Sequence, residues 1–338
     1  MRSGLFGVIV FTFCSSTMLF ATDDAPNHQQ DPITLKVDSS KVLPMPMFSF
    51  ETGPQCDSNG DLYFNAGGFT AQSEVVLKLT TRDGSTTIFR PRDESGADTT
   101  LLAFHVSVDS HVASLVGGKK DEPYVYLFDE NDSAKSSRIK LDVPEGVNAL
   151  TIQNFLVLPN GRILLQGYFD TKAPADKKGK SFFASFDASG SLLKLSLETA
   201  ADDVLKSLVS GDASRSAKTE AAQSKDGTTY LLFPDSVAVI TPAGSISRTM
   251  KLTPPEPGYV PDQLYMNHGR LVVGYFSPDI SGKMKARYQL LNPSTGELIR
   301  VYQPDPELGS TLVCFSDDGF TFLRPEKGHI KLMNAPIK

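Results

Sequence analysis

The chain is short of the residue types that most often announce a function. It has 3 Cys and 5 His in 338 residues, and no two histidines stand at the i, i+4 spacing of a helical metal site. Positive charge is also scarce: 33 Lys and Arg against 39 Asp and Glu give a net charge of −6, where a dedicated nucleic-acid binder normally carries a basic surplus. No G-x-S-x-G nucleophile elbow and no P-loop occurs. Beyond the first twenty or so residues no apolar run is long enough to cross a membrane, so no span is expected after processing.

What the N-terminus has is a secretory pattern. Arg2 supplies a short charged region, Leu5 to Phe13 form an apolar core broken only by Gly7 and Thr12, and Ala21 offers a small residue before Asp23 and Asp24. Residues 1–21 are therefore expected to be a signal peptide, 22–31 a flexible linker and 32–338 the folded part, with a periplasmic or extracellular address. Cys14 leaves with the signal. Cys56 and Cys314 remain, either as a disulfide closing a very long loop or as two buried thiols.

Self-similarity organises the rest. Ser58-Asn59-Gly60, Pro159-Asn160-Gly161, Lys225-Asp226-Gly227, Asn267-His268-Gly269 and Asp317-Asp318-Gly319 are tight-turn signals between apolar runs. Asp109-Ser110 holds the same phase without glycine. The turns recur at steps of about 50 residues, and each unit resolves into four short strands. The first unit runs Phe48 to Cys56, Asp61 to Asn65, Glu74 to Thr80 and Ser85 to Arg90. The sixth has three strands only, ending at His329 to Met333. Ile33 to Val37 alternates apolar and polar residues ahead of the first unit, and is expected to supply the missing strand. The predicted fold is all-β: a six-bladed β-propeller of four-stranded antiparallel blades closed from the N-terminus. One helix is expected in the longest step, with Val204, Leu205, Leu208 and Val209 at helical spacing.

Cys56-Asp57-Ser58-Asn59-Gly60-Asp61-Leu62-Tyr63-Phe64, then Val75-Val76-Leu77-Lys78-Leu79 and Asp83-Gly84, resemble the NHL-repeat and TolB-like six-bladed propellers. That resemblance implies fold and not activity. With no Trp, the tryptophan-docking repeats of quinoprotein-type propellers are absent, which counts against a quinone cofactor.

In such a ring the loops joining strands one to two and three to four lie on one face, and here they are short. The other face carries long loops, including 66–73, 117–123, 170–180 and 277–284, and is the expected meeting place for a protein or carbohydrate ligand. Lys172, Lys177, Lys178 and Lys180 read as a solvated loop among Asp170 and Asp176. Tyr168, Phe169, Tyr275 and Phe276 read as packing between blades.

Glu51-Thr52-Gly53-Pro54 looks like the Glu-Gly-Pro that opens gluconolactonase-type propellers, whose glutamate binds a metal. Asn154 on the third inner strand offers a second oxygen ligand, and calcium or another divalent ion suits such a set. The likeness lapses where Phe155 follows Asn154 and where the fourth and sixth inner strands lack the matching acidic groups. The leading expectation is accordingly a monomeric, non-catalytic binding scaffold without cofactor. The alternative is a divalent-metal lactonase-like hydrolase at the mouth of the axial channel, and a purely structural domain is the third reading.

Overall fold

The computed structural model describes residues 31–46, 54–65, 75–92, 99–107, 109–117, 122–129, 132–142, 147–171, 180–197, 220–278, 284–309, 311–316, 318–326 and 329–337. Every regular element among them is a β-strand. They form six antiparallel four-stranded blades, one of which gains a fifth strand. Blade I is β3 (Gln55–Cys56), β4 (Leu62–Asn65), β5 (Val76–Leu79) and β6 (Thr86–Phe89). Blade II runs from β7 (Thr100–Val106) through β8 (Val112–Gly117) and β9 (Pro123–Phe128) to β10 (Ser136–Lys140). Blades III and IV are β11 to β14, from Val147–Val157 to Leu192–Leu197, and β15 to β18, from Ala221–Gln223 to Ile246–Lys251. Blade V holds β19 (Val260–Asn267), β20 (Arg270–Pro278), β21 (Met284–Leu291) and β22 (Leu298–Pro304). Blade VI is β23 (Thr311–Ser316), β24 (Gly319–Glu326) and β25 (His329–Ala335), with a fourth strand from the N-terminus.

Burial explains why these sequences take these places. The second strands, such as β4 and β16 (Thr229–Leu232), are buried at every position because both sheet faces pack on neighbouring blades. Outer strands such as β6 and β10 turn most of their residues to solvent, and read Thr-Thr-Ile-Phe and Ser-Ser-Arg-Ile-Lys. The apolar clusters lie between blades. One joins Leu62, Phe64 and Leu77 of blade I to Leu323, Ile330 and Leu332 of blade VI. Another joins Leu156 and Leu164 of blade III to Leu231 and Ile240 of blade IV.

Closure comes from the N-terminus, but through a different strand from the one expected. The fourth strand of blade VI is β2 (Ser39–Pro46), paired antiparallel to β25 from Ser39 opposite Asn334 to Pro46 opposite His329. Ile33–Leu35, the core of the expected closing strand, is β1. It runs parallel to β22, with Ile33 opposite Tyr302 and Leu35 opposite Pro304, and makes blade V five-stranded. Ser39–Pro46 carries Pro44 and Pro46, which lack the N–H that a ladder uses. An outer strand has only one ladder to serve, so a missing N–H is tolerated there, and Leu43 is driven fully into the blade I–VI cluster.

The turn without glycine also follows its phase. Ser110 takes φ 68°, close to the 78° of Gly60 in blade I, and its hydroxyl donates to Asp57 Oδ2 at 2.6 Å. That bond offsets the cost of a left-handed side-chain-bearing residue and ties blade II to blade I. Residues 1–30, with the expected signal peptide, and the expected helix around 204–209 lie outside the described residues.

Candidate functional site: the axial channel

Side chains of an inner strand alternate between the following blade and the preceding one, because alternate residues lie on opposite faces of the sheet. Gln55, His105, Tyr265 and Cys314 share the parity that points forward. Each makes its contact with the inner strand of the next blade. Gln55 Nε2 donates to Phe104 O at 2.8 Å while Val106 N donates to Gln55 Oε1 at 2.9 Å, so one amide replaces a pair of ladder bonds. Val157 N donates to His105 Nδ1 at 3.3 Å. The Tyr265 hydroxyl donates to Leu312 O at 2.6 Å, and Asn267, two residues on, donates to Phe315 O at 3.2 Å.

Cys314 reaches Cys56 in the same way. The two form a disulfide across the blade VI–I seam, with Cα atoms 5.6 Å apart and 258 residues between them in sequence. Of the two states left open for these cysteines, the structure has the disulfide. The two cysteines stand one residue out of phase: Cys314 is opposite Thr321, two residues before Ser316 at the turn, whereas Cys56 is opposite Leu62, directly before Asp57. That offset turns Cys314 forward and Cys56 backward, as a bond across the seam requires.

Inside the ring is a cavity of about 340 Å³, within the usual range for small-ligand sites. Its polar walls include His105 from blade II, Glu220 at the head of β15, and Asn267 and His268 from blade V. It extends from Pro54 and Glu220 to the turns at Ser58, Lys225 and Gly269, on the short-turn face. Burial holds the His105 imidazole down at about 4, so the ring is neutral under ordinary conditions. Since Nδ1 accepts the Val157 N–H, the proton of the neutral ring sits on Nε2, which is left as a donor. The Tyr265 phenol is raised well above its ordinary value, first by burial and then by the negative charge of Glu220.

Of the residues singled out in the sequence, Glu51 lies outside the described residues. Asn154 is buried, and its amide donates to Gln166 Oε1 of the adjoining strand at 3.0 Å. Among the described residues no three His, Cys, Asp or Glu side chains gather to hold a metal. No chemistry is routed through a divalent ion here. Tyr275 is fully buried and Phe276 packs against the cluster shared by blades V and VI. Lys172, Lys177 and Lys178, together with most of the long-loop face, lie outside the described residues, as do the side chains of Lys180, Tyr168 and Phe169. Sequence reasoning passed over His105 and Glu220 because neither belongs to a local motif. The available signal was their position on the inner strands, His105 just before the repeating turn and Glu220 just ahead of β15.

A scan against protein-family models finds no match, and a comparison with curated proteins finds none either. Among solved structures the chain is similar to a gluconolactonase from Xanthomonas campestris, at 14% identity and a TM-score of 0.50, covering 90% of this chain and 95% of that one. It is also similar to a luciferin-regenerating enzyme, at 13% identity and a TM-score of 0.50, covering 88% and 96%. At these identities the likeness establishes the six-bladed fold. These two neighbours are named as enzymes, which turns against the expectation of a non-catalytic scaffold and favours its alternative, a lactonase-like hydrolase, as the reading to propose. That expectation rested on the lack of a catalytic motif. In a ring whose channel takes its side chains from separate blades, such a lack carries little weight.

Proposed function

We propose that this protein is a lactonase-like hydrolase that opens a small cyclic ester in its axial cavity. The observation that supports this is the placing of one carboxylate, Glu220, and one imidazole held neutral by burial, His105, on the walls of a cavity of about 340 Å³. Glu220 takes a proton from a water as that water attacks the ester carbonyl, and His105 Nε2–H donates to the oxygen on which negative charge builds. The ring C–O bond then breaks, the proton passes from Glu220 to the departing alkoxide, and the product is the open hydroxy acid. A neutral donor suits this task because its proton stays in place across the working pH range. The NHL-type kinship of the blades and export to the periplasm or cell exterior belong to the same proposal, on the Cys56–Phe64 segment and the pattern of residues 1–21.

The test is turnover of glucono-1,5-lactone and simple γ-lactones by purified protein, followed as acid release with and without added divalent ions. Hydrolysis that Glu220→Gln reduces at least a hundredfold, at unchanged melting temperature, supports the assignment. Absence of turnover on every lactone under both conditions overturns it.

A further inference from the structure

A second cavity, of about 370 Å³, opens on the short-turn face where blades II, III and IV meet. It shares His105, Gln223, Ser224 and Lys225 with the axial cavity, so a molecule seated in one has a neighbour's space beside it. Its walls are of two kinds. Ser107, Asp109 and His111 around the blade II turn, with Lys225 and Asp226 of the blade IV turn, supply polar groups. Ala113, Leu127 and Val157 supply apolar surface. Ala113 stands opposite both His105 on β7 and Leu127 on β9, so these three side chains share the sheet face toward blade III. Leu127 and Val157 pack against the blade II–III cluster and stay half-buried, which leaves part of each open to a ligand.

The polar groups differ in how far the protein already uses them. Ser107 Oγ accepts from His111 N at 3.1 Å and lies 3.4 Å from His111 Nδ1. Asp226 Oδ1 accepts from Thr228 N at 2.9 Å and from the Ser224 hydroxyl. Among the described residues no hydrogen bond or ion pair engages the Asp109 carboxylate or the Lys225 ammonium. The cavity thus offers a charged acceptor and a charged donor that the fold leaves unspent. An anionic occupant gains Lys225 but meets Asp109 and Asp226, and a cationic one gains the aspartates but meets Lys225. An apolar occupant strips water from both signs and replaces none of it. A neutral hydroxyl donates to a carboxylate and accepts from an ammonium, so it serves both. A pyranose ring matches the two kinds of wall together, with hydroxyls around its edge and C–H faces that pack on Leu127 and Val157.

We propose that this second cavity is a subsite for a sugar residue attached to the ring held in the axial cavity, so that the ligand class is a cyclic ester with a glycosyl arm. The inference rests on the hydrolase reading for the ester, while the subsite itself is read out by binding of sugars that have no ester to open. Asp109 and Lys225 hold the hydroxyls of the arm, and His105 stands where the two cavities meet.

The experiment is a calorimetric titration of the purified, oxidised full chain with glucose and with the disaccharides cellobiose, maltose and lactose, each of which extends a glucose ring by one sugar. The expected result is that at least one disaccharide binds about tenfold more tightly than glucose, the gain expected from one or two hydrogen bonds to the arm. Asp109→Ala brings that disaccharide to within about threefold of glucose and leaves glucose itself unchanged. Asp318→Ala, which removes an exposed carboxylate from the matching turn of blade VI, leaves the advantage as it is. Equal affinities for all four sugars, including no binding by any, overturn the subsite. So does an advantage that Asp109→Ala leaves intact in a protein of unaltered melting temperature. A disaccharide advantage with no turnover of any lactone keeps the subsite and removes the hydrolase reading, whereas lactone turnover with equal affinities does the reverse.

Discussion

Two neighbouring seams of this ring solve one problem with different chemistry. At the seam between blades VI and I, the forward-pointing residue of the inner strand is Cys314, and it is joined covalently to Cys56. At the seam between blades I and II, the residue of the same parity is Gln55, which brackets the next inner strand through Phe104 O and Val106 N. One step further, His105 accepts from Val157 N and does the bracketing with a single bond. The difference tracks how the chain is connected. Blades I, II and III are consecutive, so their strands are held near one another by short stretches of chain. Blade VI meets blade I only after the whole ring has been laid down, with β2 as the other link. A covalent bond serves best where loop closure costs most.

The comparison is broken most severely at the covalent seam. Replacing Cys56 and Cys314 together by Ala is expected to lower unfolding stability by up to about 5 kcal/mol, since the bond closes a very long loop of the unfolded chain. Urea unfolding of the oxidised protein measures this, and reductant must reproduce the loss in the unaltered chain while doing nothing to the double variant. If the variant is as stable as the parent, the seam is held by β2 and the apolar cluster alone.

The next effect belongs to His105. Its folded value near 4 lies below the ordinary 6.5, so below pH 6.5 the unfolded chain takes up a proton that the folded chain refuses. The contribution of this group is therefore complete above pH 6.5 and is lost as the pH falls toward 4, by on the order of 3 kcal/mol in all. His105→Asn keeps an acceptor for Val157 N and removes the titration. Its unfolding midpoint should vary less between pH 7 and 4 than the parent's, and parallel profiles would refute the assignment.

The smallest effect is at the amide. Gln55→Leu keeps the volume and leaves Phe104 O and Val106 N without their partner, at a cost of about 1–3 kcal/mol. Amide hydrogen exchange should place the loosening at Val106, and protection of that N–H at the parent level would show that the bracket is dispensable.

Much of the architecture was legible in the residues. The turns at Ser58-Asn59-Gly60, Pro159-Asn160-Gly161 and Lys225-Asp226-Gly227 join first to second strands because two-residue and bulged hairpins need positive φ, which Gly supplies. Even the turn lacking glycine was found by phase, and Ser110 occupies it. The closing strand was placed at Ile33–Val37 on its alternation, whereas Ser39–Pro46 pairs with β25, and a linear sequence does not say which strand has only one ladder to serve. The channel was hardly legible. His105 and Glu220 are 115 positions apart in the numbering and come from different blades, while Asn154, chosen as a ligand, has its amide bonded to the next strand of its own blade.

The sequence by itself determined the repeat: alternating apolar residues make the strands, glycine and asparagine make the turns, and the count of phases makes six blades. These are local quantities, set by backbone conformation and by which strand faces are covered. Tertiary structure decided which N-terminal strand shuts the ring, that Cys314 turns toward Cys56, and which side chains share the axial cavity. Those outcomes depend on sheet parity carried around a closed circle, where a shift of one residue reverses the blade that a side chain faces.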